Sequence, residues 1–356
     1  MPNVTGEAEK KYVNQALAEN YVNDGNMTHE FEKAIAKLVG KQYALAICNC
    51  TAGIFMSLKA LGIGSGDEII VPDITFIATV NAVSLTGAKP ILVDINPNDL
   101  NINLGALKAA ITPRTKAVVP VHVTGRAADM QTILAIAEEH KLFVVEDAAE
   151  ALMSKHKGKF LGTFGKTGCF SFSPNKTITT GQGGIIVTDD IELETKLRAL
   201  KDQGRPVTGT GGDDIHDTIG YNFKFTNLQA GVGLGQLTYL EERIKRMKRN
   251  YQLYAEQLEN INGLTIFPSA EDEIPQWTDI KTEHRDELEK YLREQNIDSR
   301  KYWHPIHKQK AYLLPDDNFP NSTRLSPQCL WLPSSFSLTD EDVVRVCEEV
   351  KKFFQK

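Results

Sequence analysis

The stretch "SPNKTITTGQGG" (residues 173–184) sets one lysine, Lys176, between hydroxyl residues and a glycine cluster. An amine held in such a setting can attack a carbonyl, whereas a surface lysine needs no such surroundings. Other groups with chemistry stand at the ends of short apolar runs. Asp147 closes "LFVVED", Ser171 lies in "CFSFS", Phe76 follows "EIIVP", and Thr51 and Ala52 follow "YALAIC" and open a helical stretch. If the runs are strands of one open sheet, these positions fall at carboxyl ends, where ligands gather in α/β folds. An amine, a carboxylate, an aromatic plate and an anion site at a helix N-terminus would then share one place.

That set is what pyridoxal 5'-phosphate requires. Its aldehyde condenses with a lysine, its ring nitrogen needs an acid, its ring needs something flat, and its phosphate needs donors. Each residue alone also has a plainer reading. Asp147 could cap a turn or helix, Phe76 could be core, Thr51 could be an N-cap and Lys176 a solvated charge. "GTFGKT" suggests a nucleoside-triphosphate loop, but that motif needs glycine six residues before Lys166, where Phe160 stands.

The elements that must position these residues follow from periodicity. Runs 43–48, 68–72, 90–95, 116–123 and 142–147 are β-rich, and amphipathic stretches 52–62, 75–86 and 127–140 lie between them. Apolar strands alternating with helices predict an α/β fold with a mostly parallel sheet covered on both faces. Runs 169–173 and 184–189 follow with a short link, so the sheet should be mixed. Beyond residue 190 come a helix near 190–203, a glycine-rich loop at 202–214, and a long helix from about Asn227 to Leu258. Further helices are expected around 284–295 and after Thr339. This divides the chain into a large domain, 1–240, and a smaller C-terminal α+β domain, 241–356.

The bulk properties remove other classes. A net charge of −6 argues against nucleic-acid or membrane-surface binding, which favours a basic face. No apolar run approaches the roughly 18 residues of a span, and "MPNVTGEAEKKY" lacks a signal-peptide core, so a cytoplasmic protein is expected. The five cysteines show no paired spacing for zinc and read as buried thiols, and no metal is expected.

"CTAGIFMSLKALGIGSGDEIIVPDITFIATVNAV", "GAKPILVDI", "EDAAEAL", "GTFGKTGCFSFSPNKTITTGQGG", "GYNFKFTNLQAGVGLGQL", "WHPIH" and "CLWLPSSFSLTDEDV" occur in order along the chain. In these the chain resembles, nearly end to end, the DegT/StrS-type sugar aminotransferases of the fold-type-I (aspartate aminotransferase-like) pyridoxal phosphate enzymes. "EDAAEA" and "NKTITT" look closest to the branch that aminates carbon 4 of a 4-keto-6-deoxy nucleotide sugar. The resemblance implies that Lys176 binds the cofactor and moves a proton, and that Asp147 pairs with the ring nitrogen. It implies that Phe76 packs on the ring, and that Thr51, the backbone at Ala52, and Ser171 hold the phosphate. Asn222 would reach that phosphate from the partner in a homodimer. L-Glutamate and a keto nucleotide sugar would be the substrates.

Departures qualify the match. Glu150 stands three residues after the acid where many members carry Gln or His, a feature shared within the 4-amino branch. "GQGG" places Gln182 where Glu is commoner, and "NFKF" places Lys224 where Arg is usual, which changes charge or fork geometry. "CNCTAG" is also unusual before the phosphate helix. Within the fold, a 3-keto-sugar aminotransferase is the near alternative, and sugar dehydratases carry His at the lysine position. A silent cofactor- or sugar-binding relative is the alternative from another class. His304 and His307 lie where relatives often contact substrate, though a lone histidine is more often a surface or packing residue, and Lys301, Tyr302 and Trp303 are candidates to meet the nucleotide's base or diphosphate. "NYVNDGNMTHEFE" is a candidate sugar-facing loop, but Thr28 within it also suits a helix N-cap followed by acids.

Overall fold

A computed structural model describes residues 6–206 and 215–355. Most of the expected glycine-rich loop, 207–214, and the first five residues lie outside that range. Helices α1 (Glu7–Ala18) and α2 (Asn26–Val39) lead into strand β1 (Tyr43–Ile47) and helix α3 (Cys50–Ala60). Then come β2 (Glu68–Pro72), α4 (Ala78–Leu85), β3 (Lys89–Val93), α5 (Leu104–Ala109), β4 (Thr115–Val118), α6 (Met130–His140) and β5 (Phe143–Asp147). A small hairpin, β6 (Lys155–His156) and β7 (Lys159–Phe160), precedes β8 (Thr167–Ser171), β9 (Gly184–Thr188) and α7 (Ile191–Lys201).

Seven strands form one sheet in the order β1-β9-β8-β5-β4-β2-β3. Only β9 runs against its neighbours, so the sheet is mixed as its short link from β8 implies. Ile69 and Val71 pack into the core on one face and Ile70 on the other; Ala117 and Val118, and Val145 and Val144, divide in the same way. Both faces are dry, which is why these strands read as continuous apolar runs. The run 116–123 yields a strand only to Val118, because Pro120 has no N–H to extend the ladder.

The remaining elements are α8 (Asn227–Leu237), α9 (Leu240–Gln257), β10 (Thr265–Ile266), β11 (Thr278–Lys281), α10 (Arg285–Glu294), β12 (Arg300–Lys301), α11 (Pro320–Leu325), β13 (Cys329–Leu332) and α12 (Asp340–Phe354). The last strands make a four-stranded antiparallel sheet, β10-β11-β13-β12, packed under α9, α10 and α12 around Leu253, Ile280, Leu292 and Val346.

Two local expectations fail. The helix expected from Asn227 to Leu258 is two helices, parted at Thr238 and Tyr239, where the Thr238 hydroxyl bonds back to the Gly235 carbonyl at 2.7 Å. The glycines of α8 explain the weak helical signal. A Cβ on Gly235 would sit 2.6 Å from the Glu9 backbone and one on Gly233 2.7 Å from the Phe31 ring, so α1 and α2 approach it only because side chains are missing. Thr28 is not an N-cap either: Gly25 holds that position, while Thr28 is buried in α2 and donates to the Asn227 side chain.

Candidate active site

The carboxyl ends of β1, β2, β4, β5 and β8 open into one cleft of about 840 Å³. Thr51, Ala52, Phe76, Asp147, Glu150, Ser171 and Lys176 all line it, with Gln182. Lys176 sits in the turn after β8, its N–H bonded to the Ser173 carbonyl at 3.1 Å. Its Nζ lies 3.0 Å from Glu150 Oε1 and 5.0 Å from the centroid of Trp277. The lysine is therefore a largely enclosed ion-pair partner, not a solvated charge.

Asp147 ends β5 and is 6 % exposed. Its carboxylate accepts from the Thr79 hydroxyl at 2.6 Å and the Ala149 N–H at 3.1 Å, and among the described residues it forms no ion pair. Burial pushes this carboxyl above its ordinary value, opposed by the Thr79 and Ala149 hydrogen bonds and then by the charges of Lys176 and His122. Burial likewise raises the Glu150 carboxyl, against the attraction of Lys176 and the Thr124 N–H. The turn "GTFGK" binds no phosphate. Its Gly162, Phe164 and Gly165 N–H groups close on the buried Glu146 carboxylate, which also meets His122.

Asn49, and not Thr51, caps α3, accepting from the Ala52 N–H at 2.9 Å. The start of β9 presses against this helix end: a Cβ on Gly184 would be 2.5 Å from the Cys50 nitrogen. Cys50 is buried there, and the thiols of all five cysteines are free. Among the described residues no group of three or more His, Cys, Asp or Glu could hold a metal ion.

These residues fit pyridoxal phosphate. A buried carboxylate that no cation among the described residues pairs with suits a protonated ring nitrogen. Phe76 is 56 % exposed, an apolar ring left bare at the cleft, where a flat ligand could cover it. The N-terminus of α3 and the Ser171 and Ser173 hydroxyls give the phosphate end donors and a favourable dipole.

Other expected residues are not brought here. Asn222 is exposed and lies outside the wall of this chain's own cleft. His307 is fully buried, its ring between Asp73 at 2.6 Å and Asp316 at 3.1 Å and stacked on Phe319, so it ties the segment after Pro305 to the end of β2. Tyr302 is buried with its hydroxyl toward Asp279, His304 faces solvent away from the wall, and Lys301 pairs with Asp286. Lys224 pairs with Asp202. The cleft is instead completed by residues the motifs do not single out: Trp277, Arg300, Trp331, Tyr221 and Phe223, together with Trp303. All three tryptophans of the chain, Trp277, Trp303 and Trp331, line the cleft, but they are far apart in sequence and only folding brings them together.

The DegT/DnrJ/EryC1/StrS aminotransferase family model matches residues 3–351. The GDP-perosamine synthase of Escherichia coli O157:H7 is 38% identical over 360 residues, covering 99% of this chain and 97% of that protein. The GDP-perosamine synthase of Caulobacter vibrioides is 37% identical over 348 residues, covering 95% of this chain and 93% of its own length. Among solved structures, S. venezuelae DesV superposes with a TM-score of 0.93 at 31% identity, over 98% of this chain and 94% of that one.

Proposed function

The chain belongs to the DegT/DnrJ/EryC1/StrS aminotransferase family, and from that membership we propose that it transfers an amino group from L-glutamate to a 4-keto-6-deoxy nucleotide-linked sugar. The coarser activity, pyridoxal-phosphate-dependent sugar aminotransfer, is that of the family. The observation behind the finer reading is the likeness to GDP-perosamine synthases along nearly the whole chain. The product would be a 4-amino sugar for a surface glycan.

When bound, pyridoxal phosphate supplies an electron sink for the carbanion formed at the donor's α-carbon. Lys176 would hold it through its amine and, once freed, carry the proton between that carbon and the cofactor's C4′. Asp147 would keep the ring nitrogen protonated, and Phe76 would cover one ring face. Thr51, the Ala52 backbone and Ser171 would hold the phosphate. Glu150 would orient the Lys176 amine, whose Nζ also lies 5.0 Å from the centroid of the Trp277 ring.

Asn222, exposed and apart from its own cleft, supports a homodimer in which it serves the partner's phosphate. Residues 1–240 would form the cofactor domain and 241–356 the smaller one. Arg300 and Trp303 line the cleft where His304, His307 and Tyr302 do not, and are the better candidates for the nucleotide's phosphates and base. No described helix is long and apolar enough to cross a membrane, and five free cysteines suit the reducing cytoplasm.

Purified, cofactor-loaded protein incubated with L-glutamate and GDP-, UDP- and dTDP-linked 4-keto-6-deoxy sugars tests the reading. The expected outcome is one amino sugar, identified by mass and NMR with nitrogen on carbon 4. Amination of a 3-keto sugar alone would overturn the assignment.

A further inference from the structure

Lys176 stands on a turn, not on a helix or strand, and something must fix it there for its amine to keep one direction. The backbone carbonyl before it, on Asn175, accepts from Gln276 Nε2 at 3.2 Å. The residue after it, Thr177, donates its hydroxyl to Gln276 Oε1 at 3.0 Å. One buried amide thus holds the chain on both sides of the lysine.

The same residue reaches the lysine's other end. The Gln276 N–H donates to the Thr124 carbonyl at 2.9 Å, and the Thr124 N–H donates to Glu150 Oε2 at 3.0 Å. Glu150 Oε1 then accepts from Lys176 Nζ at 3.0 Å. The chain of bonds closes a ring: amine, Glu150, Thr124, Gln276, and back to the turn that carries the amine.

The ring is built with unusual backbone. Thr124 has φ +53°, a left-handed conformation, and a Cβ on the next residue, Gly125, would lie 2.1 Å from the Ile274 carbonyl. Arg126 locks the same segment to β11 through two 2.7 Å bonds to Asp279. Gln276 is 6 % exposed and Thr177 2 %, so water does not compete for these bonds.

We propose that Gln276 is a positioning residue for the proposed reaction: it couples the backbone on both sides of Lys176 to the carboxylate that aims its amine. The proposal rests on Lys176 being the cofactor-binding lysine. Because a displacement of about 1 Å at a reacting group can cost on the order of 10²-fold in rate, losing half of this clamp should be measurable.

Thr177→Val removes the hydroxyl while keeping the shape, and Thr177→Ser keeps the hydroxyl while losing a methyl. Gln276→Met removes both side-chain bonds. Cofactor-free protein of each variant is mixed with pyridoxal phosphate, and two quantities are read: the rate at which borohydride-stable label accumulates on Lys176, and the pH midpoint of the visible absorbance band. The expected result is labelling slowed about tenfold or more in Thr177→Val and Gln276→Met, with a displaced midpoint. Thr177→Ser should stay within about twofold of the parent. Should Gln276→Met fail to fold, the Val and Ser pair still decides. Equal labelling and an unmoved midpoint in Thr177→Val would overturn the positioning role, as would equal defects in Val and Ser. Label absent from Lys176 in the parent protein would instead remove the reading on which the proposal rests.

Discussion

Glu150 and Lys176 form a buried pair in which the carboxylate has no oxygen to spare. Oε1 takes the lysine's Nζ at 3.0 Å and Oε2 takes the Thr124 N–H at 3.0 Å. A glutamine has one accepting and one donating end, so Glu150→Gln must turn its NH₂ toward one of these two donors. A buried donor left unpaired costs about 1–3 kcal/mol, which at a positioned amine is roughly tenfold or more in rate. Single-turnover amination by Glu150→Gln should fall by that factor while far-ultraviolet circular dichroism is unchanged; an unaltered rate would mean that Glu150 does not aim the amine.

Asp147 should trade stability for function. Burial raises its carboxyl in the folded protein, so the folded state of the cofactor-free protein loses stability as pH rises through that raised value. Asp147→Asn has nothing to ionise. Without cofactor, the variant should melt above the parent at pH 7–8, and the gap should close as pH falls and the parent's carboxyl protonates. Its aminotransfer should drop by about 10²-fold or more, because the ring nitrogen loses its charged partner. A melting gap that widens toward acid would contradict the sign.

Phe76 is mostly exposed and contributes little to the core, so Phe76→Ala should leave stability within about 0.5 kcal/mol of the parent. A stacked ring is worth about 0.5–1.5 kcal/mol beyond burial, so pyridoxal phosphate should be released roughly several-fold to tenfold more readily on dialysis. Absorbance of the retained cofactor measures this. Undiminished retention would place the ring elsewhere.

Much of this was legible because strands buried on both faces leave continuous apolar runs, and strand ends then point to the cleft. Asp147, Phe76, Thr51 and Ser171 share that rule. The break at Thr238 and Tyr239 is hidden in the sequence because apolar residues keep stepping by three and four across it, from Leu237 to Leu240 and Ile244. His307 misled for another reason: its partners Asp73 and Asp316 are set by the tertiary fold, one of them far away in the chain. Gln276 was invisible for the same reason. Its partners at Thr124, Asn175 and Thr177 are joined to it only by folding.

Asn222 carries the dimer reading. Lys176→Ala and Asn222→Ala proteins should each be nearly inactive alone. If subunits exchange at random, mixing should restore up to about a quarter of parental activity, since each mixed dimer holds one intact shared site. No recovery after verified subunit exchange would mean that Asn222 does not serve the partner.

The most direct measurement is where the cofactor becomes attached. The yellow, loaded protein is reduced with borohydride, digested, and its peptides mapped by mass. A single tagged peptide carrying Lys176 is expected, absent from Lys176→Ala and Lys176→Arg proteins that remain folded but no longer transaminate. A tag on another residue, no tag at all, or undiminished turnover by Lys176→Ala would contradict the assignment.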